Sequence, residues 1–288
     1  MSNNVRWVLL ALCFPLALFG ADRIDQLTID RLAADYLAKR ATSALPPDID
    51  MAEALNVQDK LVSKLTTQMG GVAGYKVGLV TREAQERAGV NHPIRGVLLS
   101  QMLLSNNAEV GIDYGVKPLV EADLIVVVRD RAINRATTLM EVAINLKEIV
   151  AFMELPDSYI ATNQRVTGAV LTAANVGARL GVLGERTPVQ ATEEFINSLA
   201  AMRITLSDGT GKELGRATGD VILRNPLNAV IWLVAELQKT GKKLNPGDYL
   251  SLGSIKAVTP LPGQTYTAKY EGLPGGPISV SVKFKSGS

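Results

Sequence analysis

The stretch PLVEADLIVVV, Pro118–Val128, decides how the rest of the chain is read. Its Leu, Val and Ile content is that of a β-strand. Strand side chains alternate, so Glu121 and Asp123 point to the same side. Two carboxylates on one face of an apolar strand repel each other and resist leaving water unless something positive lies between them. Either the pair faces solvent at a wet edge, or it holds a cation.

A second acidic group lies in FMELPD, where Glu154 and Asp157 fall at the end of another strand-like run closed by Pro156. Hard oxygen donors in this number suit Mg²⁺, Mn²⁺ or Ca²⁺ better than zinc, which favours nitrogen and sulfur. Lys76, in GYKVGL, is flanked by Gly74 and Gly78, which let other backbone approach closely. Three readings are open for it: an acid or base with a depressed pKa, a clamp on a substrate carboxylate, or a surface lysine whose stem covers apolar neighbours. His92 is the single histidine and sits in a turn-like VNHPIRG. The chain contains no G-x-S-x-G, no strand-to-helix G-x-G-x-x-G and no G-x-x-x-x-G-K-[ST], so triad hydrolysis, dinucleotide and P-loop chemistry find no support.

Around these motifs the periodicity divides the chain. Ile24 to Gln68 is helical, with Ile24, Leu27, Ile29, Leu32, Tyr36 and Leu37 on one stripe, a break at TSALPPDI and Asp48 as a candidate cap of the second helix. After Gly70–Gly71 short β-like runs dominate. They are interrupted by a helical TTLMEVAINLKEI, a hairpin turning at Asp208–Gly209, and a helix PLNAVIWLVAELQK that starts at Pro226 and stops before Gly241. The expected organisation is a leader at 1–20, a helical region at 21–70 and a β-rich domain at 71–288.

The 288 residues are 47% hydrophobic and 20% charged, enough for a sizeable core. The net charge of +2, with no basic block, gives no footprint for nucleic acid. The opening MSNNVRWVLLALCFPLALFGA has one Arg, an apolar run and then small residues, the pattern of a secretory signal. The expected location is therefore periplasmic or secreted, with no stable membrane span after cleavage, or cytoplasmic if the start is overextended. Cys13, the only cysteine, lies in this leader, so neither disulfides nor thiol catalysis is expected of the mature chain.

Taken in order, GYKVGL, GVLLSQM, PLVEADL, FMELPD, AANVGARLGVLG, NPLNAVIWLVAEL, GDYLSLGS and YEGLPGGPISVSVKF resemble the 2-keto-4-pentenoate hydratase branch of the fumarylacetoacetate hydrolase superfamily, across Leu32 to Phe284. The resemblance implies an α+β fold, a mixed β-sheet roll behind a helical N-terminal segment, and assembly as a homo-oligomer. It implies a Mg²⁺ or Mn²⁺ ion on Glu121, Asp123 and Glu154, Lys76 and Asp157 beside the substrate, and substrate contacts from Asn175 and Ser254. The implied substrate is a small 2-oxo acid, whose carboxylate and 2-oxo oxygens a cation holds while charge develops on the enolate. Hydration, decarboxylation and C–C hydrolysis all use that cation. Hydratase ranks first on overall motif similarity, decarboxylase second, and hydrolase last for want of a histidine near the acidic pair. Several positions depart from the family pattern: Asp123 stands for the usual glutamate, Ser100–Gln101 where an acid is common, Val176 where a serine often follows Asn175, Arg224 for glycine and Lys256 for threonine. These departures also leave room for an exported protein that binds 2-oxo acids without turning them over.

Overall fold

The computed structural model describes residues 24–285, and the leader expected at 1–20 lies outside the described residues. Helix α1 (Gln26–Leu37) begins at Asp25, whose carboxylate accepts the Thr28 N–H at 2.8 Å. Helix α2 (Met51–Met69) is capped by Asp50 rather than Asp48, because the Asp50 carboxylate is the one that meets an orphan helix N–H, that of Glu53, at 2.8 Å. Ile29, Leu32 and Tyr36 of α1 are buried as the periodicity predicts, but Leu27 falls off the stripe and is 75% exposed. The buried faces of both helices join the same core as the strands. Gln58 fixes the join: fully buried, its amide donates at 2.8 Å to the carbonyls of Arg95 and of Thr172.

The remaining elements are, in order, β1 (Val72–Gly78), α3 (Arg82–Arg87), β2 (Ile94–Leu99), β3 (Leu103–Ser105), β4 (Ala108–Gly111), β5 (Val120–Val128), α4 (Leu139–Ile144), β6 (Leu146–Leu155), α5 (Gly168–Ala173) and β7 (Leu180–Pro188). Then follow α6 (Glu193–Ala201), β8 (Arg203–Asp208), β9 (Glu213–Thr218), α7 (Pro226–Lys239), β10 (Tyr249–Ser251), β11 (Ala257–Val258), β12 (Thr265–Glu271) and β13 (Ile278–Lys285). The larger sheet runs β2-β1-β10-β5-β6-β7-β3, with β11 also pairing β5; the smaller runs β4-β13-β12-β8-β9. Parallel pairs (β1 with β10, β3 with β7, β4 with β13) sit among antiparallel ones, so both sheets are mixed and the fold is α+β.

TTLMEVAINLKEI is helical for only its first half: α4 stops at Ile144, and Leu146 opens a ten-residue strand. Pairing with β5 begins at Leu146, so cross-strand hydrogen bonds outweigh the local helical propensity of NLKEI. The hairpin forms as expected, with the Asp208 carboxylate accepting the N–H groups of Thr210 and Lys212 across the turn. Helix α7 has Pro226 at its start, capped by Asn225.

Strand β5 lies inside the larger sheet and is covered on both faces. Ala122, Leu124, Val126 and Val128 face the main core, while Ile125 and Val127 form a second small cluster with Leu98, Val150 and Phe152. Each such side chain contributes roughly 1.5–3 kcal/mol when fully buried, which explains the unbroken apolar run. Glu121 and Asp123 share the face of Ile125 and Val127, so the acidic end of the strand begins where the small cluster stops.

Candidate active site

The antiparallel register of β5 and β6 sets Glu121 directly opposite Glu154. Lys76, on β1, reaches the same place: its ammonium forms a buried ion pair with the Glu154 carboxylate and donates to the Val176 carbonyl at 3.0 Å. All three side chains line a cavity of about 390 Å³, together with Asp157, Ser254, Arg87 and Lys256. Burial alone would pull the Lys76 pKa down, but Glu154, then Glu121 and Asp123, outweigh it and hold the pKa above the ordinary lysine value. Burial and the nearby Glu154 charge push Glu121 up, opposed by Lys76 and by a hydrogen bond from Ser254.

Asp123 behaves differently from its neighbour. One carboxylate oxygen accepts the Ser251 hydroxyl at 2.6 Å; the other accepts the Gly253 N–H at 3.0 Å and its own strand's Leu124 N–H at 2.5 Å. Burial and Glu154 push its pKa up to about 7 against the pull of these donors. The side chain expected as a metal ligand is therefore occupied in tying the Ser251–Gly253 bulge to β5, because one methylene fewer keeps its oxygens close to the backbone. Gly253 has φ +113°, and a Cβ there would lie 2.5 Å from Val80 Cγ1, so the bulge needs glycine. Beyond it, Ser254 is delivered to the cavity wall near Glu121.

Asp157 is buried, and one carboxylate oxygen accepts the Val116 and Lys117 N–H groups, each at 2.8 Å. Its other oxygen is buried without a hydrogen-bond partner. The loop before β5 is thus fixed to the end of β6, with acceptor capacity left over. Asn175, expected to touch substrate, is fully buried and absent from the cavity wall. Its amide accepts from Val97 N–H at 2.8 Å and donates to Val97 C=O at 2.9 Å, closing on β2 as a strand would. Ser100 and Gln101 form an exposed turn that also stays off the wall.

Three site features escaped the sequence reading. Ser251 and Gly253 hold Asp123, and the only hint was a glycine inside a strand-like YLSLGS. The third is a left-handed turn at Asn175, Val176 and Gly177, with φ of 56°, 53° and 65°. A β-branched valine in this region costs on the order of 1–3 kcal/mol, and here it aims the Val176 carbonyl at Lys76. Asn and Gly favour such a turn, but Val between them does not announce it.

Among the described residues, no three carboxylate, histidine or cysteine side chains converge into a ready metal cage. The donor set still fits a hard cation. Mg²⁺ binds through one or two carboxylates and completes its shell with water or substrate, and Glu121 and Glu154 face each other on the cavity floor. Glu121, Glu154 and the Asp123 carboxylate behind them are met by a single ammonium, so further positive charge is electrostatically favoured.

No protein-family model matches the chain. A 2-keto-4-pentenoate hydratase from Paraburkholderia phymatum is 30% identical over 203 residues, 70% of this chain and 75% of that protein. A 2-oxo-hept-4-ene-1,7-dioate hydratase from Escherichia coli is 25% identical over 269 residues, 92% of this chain and 96% of its own length. In structure, the 4-oxalocrotonate decarboxylase from Pseudomonas putida G7, complexed with magnesium and adipate, superimposes with a TM-score of 0.79 at 21% identity, covering 90% of this chain and 96% of that one. That likeness establishes the shared fold. The chain belongs to the 2-keto-4-pentenoate hydratase family.

Proposed function

We propose that the protein is a hydro-lyase that adds water to a short 2-hydroxydienoic acid after its ketonisation to the 2-oxo form. The observation that carries the reading is the buried Lys76–Glu154 pair with Glu121 opposite, at the floor of a cavity. Glu121 and Glu154 would hold a divalent cation, Mg²⁺ or Mn²⁺, which when bound supplies Lewis-acid stabilisation of charge at the 2-oxo oxygen. Lys76 presents an ammonium on the same floor, placed to hold the substrate carboxylate or to pass a proton to the carbon chain. Asp123 keeps the Ser251–Gly253 bulge in place, so that Ser254 stays at the wall. Asp157, braced by the loop N–H groups, offers its unpartnered oxygen to a substrate hydroxyl or to attacking water. In the overall reaction the enol loses its hydroxyl proton, a carbon gains one, and water then divides between the two carbons of the conjugated alkene.

Purified protein with Mg²⁺ and 2-hydroxypenta-2,4-dienoate tests the proposal through loss of the dienol absorbance and appearance of a 4-hydroxy-2-oxo acid. Release of carbon dioxide from a 2-oxo diacid would move the assignment to decarboxylase. Metal-dependent binding without turnover would make the protein a binder of 2-oxo acids. Export is proposed alongside: the mature N-terminus, read by mass spectrometry, is expected near Ala21, and an intact Met1 in a cytoplasmic fraction would overturn it.

A further inference from the structure

The floor of the cavity is acidic, but its mouth is not. Arg87, in the last turn of α3, and Lys256, in the loop between β10 and β11, both line the cavity and are both exposed. Neither forms an ion pair or hydrogen bond with another described residue. On the same helix Arg82, by contrast, is paired with Glu86. Lys256 is also positioned: its stem packs on the backbone of β9, where a Cβ at Gly215 would lie 2.6 Å from Lys256 Cγ. Between floor and mouth the wall is largely apolar, with Leu79, Val80, Leu119, Ile160 and Leu171 among its residues. A ligand matching this sequence of environments has a chelating, charged head, a short carbon chain and a second anionic end.

Resting on the hydro-lyase reading, we propose that Arg87 and Lys256 form a distal-anion subsite, and that the substrate is a linear dicarboxylic 2-oxo acid rather than one with an uncharged tail. The volume agrees: about 390 Å³ falls within the roughly 300–1,000 Å³ of pockets that enclose larger small molecules, more than a five-carbon acid fills. Two cations free of internal partners meet a carboxylate without first breaking a protein ion pair, so their full attraction appears in binding.

The test compares unreactive acids first. Wild-type protein with Mg²⁺ is titrated calorimetrically with adipate and with pentanoate, and the same is done for the Arg87→Gln/Lys256→Thr double variant. Both side chains are exposed, so the variant is expected to stay folded, which its unfolding temperature checks. Wild type should bind adipate about 20-fold more tightly than pentanoate, and the ratio should fall towards one in the variant, as expected for two partly screened charge contacts. A wild-type ratio near one, or a ratio the variant retains, overturns the subsite. Turnover is measured in parallel, with 2-hydroxypenta-2,4-dienoate and its seven-carbon 1,7-dioate counterpart. A wild-type kcat/KM preference for the dioate that the variant loses supports the subsite. If neither dienoate reacts while the adipate preference exists and disappears in the variant, the hydro-lyase reading falls and the subsite stands.

Discussion

Glu121 and Asp123 sit two residues apart on one face of β5, and the protein uses them in opposite ways. Glu121 meets Glu154 across the strand register and opens onto the cavity, with Ser254 its one neutral hydrogen-bonding neighbour. Asp123 is closed off by Ser251, Gly253 and Leu124 and never reaches the cavity wall. One methylene separates the two side chains, and that length decides whether a buried carboxylate faces a ligand or holds backbone. A spacing such as E-x-D therefore locates a site without telling which acid works in it.

The largest effect expected of any single change is at the ammonium the two acids share. Lys76→Met removes the ammonium from the floor and leaves the charges of Glu154, Glu121 and the nearby Asp123 without compensation. Breaking a buried pair in this way costs about 3–5 kcal/mol, so the unfolding free energy should fall by that order without added metal. Mg²⁺ should restore part of the loss, while turnover of the dienoate stays at least about 10³-fold down, near 4 kcal/mol of barrier. A variant as stable as wild type in EDTA would mean that the floor is not electrostatically frustrated.

The contrast between the two acids is broken most directly by paired substitutions. Glu121→Gln should weaken Mg²⁺ binding by more than about tenfold, a loss of over 1.4 kcal/mol. Asp123→Asn keeps an acceptor for Ser251 or Gly253 and should leave the affinity within a few-fold. Asp123→Ala strips three buried donors of their partner and should cost roughly 3 kcal/mol of stability, at about 1 kcal/mol or more for each. Calorimetric titration and urea unfolding separate the cases. Equal loss of metal affinity in Glu121→Gln and Asp123→Asn would show that both acids are ligands.

Much of this was legible in the sequence, for a physical reason. The apolar run of β5 and its acid pair, Lys76 between two glycines, and Glu154 at a strand end depend on local pattern, and the register of β5 with β6 gathers them as the motifs imply. What the sequence concealed depends on contacts distant along the chain. The engagement of Asp123 requires Ser251, which lies 128 residues away. The role of Asn175 requires Val97, since an amide bonded to a strand and one aimed at a ligand look alike in isolation. Helix α4 was overextended because NLKEI has fair helical propensity, and only pairing with β5 makes it strand. The capping error at Asp48 is smaller and of another kind: DID offers two aspartates two residues apart, and Asp50 is the one whose carboxylate accepts the Glu53 N–H.

The smallest effect separates strain that serves the site from strain that does not. Val176 is left-handed at the cavity, where its carbonyl accepts from Lys76. Leu223 and Arg224 are left-handed too, with φ of 49° and 68°, in the turn that leads into α7, and Arg224 is exposed. Glycine would enter this region without a Cβ penalty. Arg224→Gly should therefore stabilise the fold by about 1 kcal/mol, the left-handed penalty of roughly 1–2 kcal/mol less the extra freedom glycine gains when unfolded. Its kcat/KM should not change, because the side chain touches neither the cavity nor α7's cap on Asn225. Val176→Gly relieves similar strain but frees the segment that carries the Lys76 acceptor, so any gain in stability should come with a lower kcat. If Val176→Gly gained stability at full activity, the valine would be an unrelieved cost like Arg224, and the left-handed turn at the cavity would have no catalytic bearing.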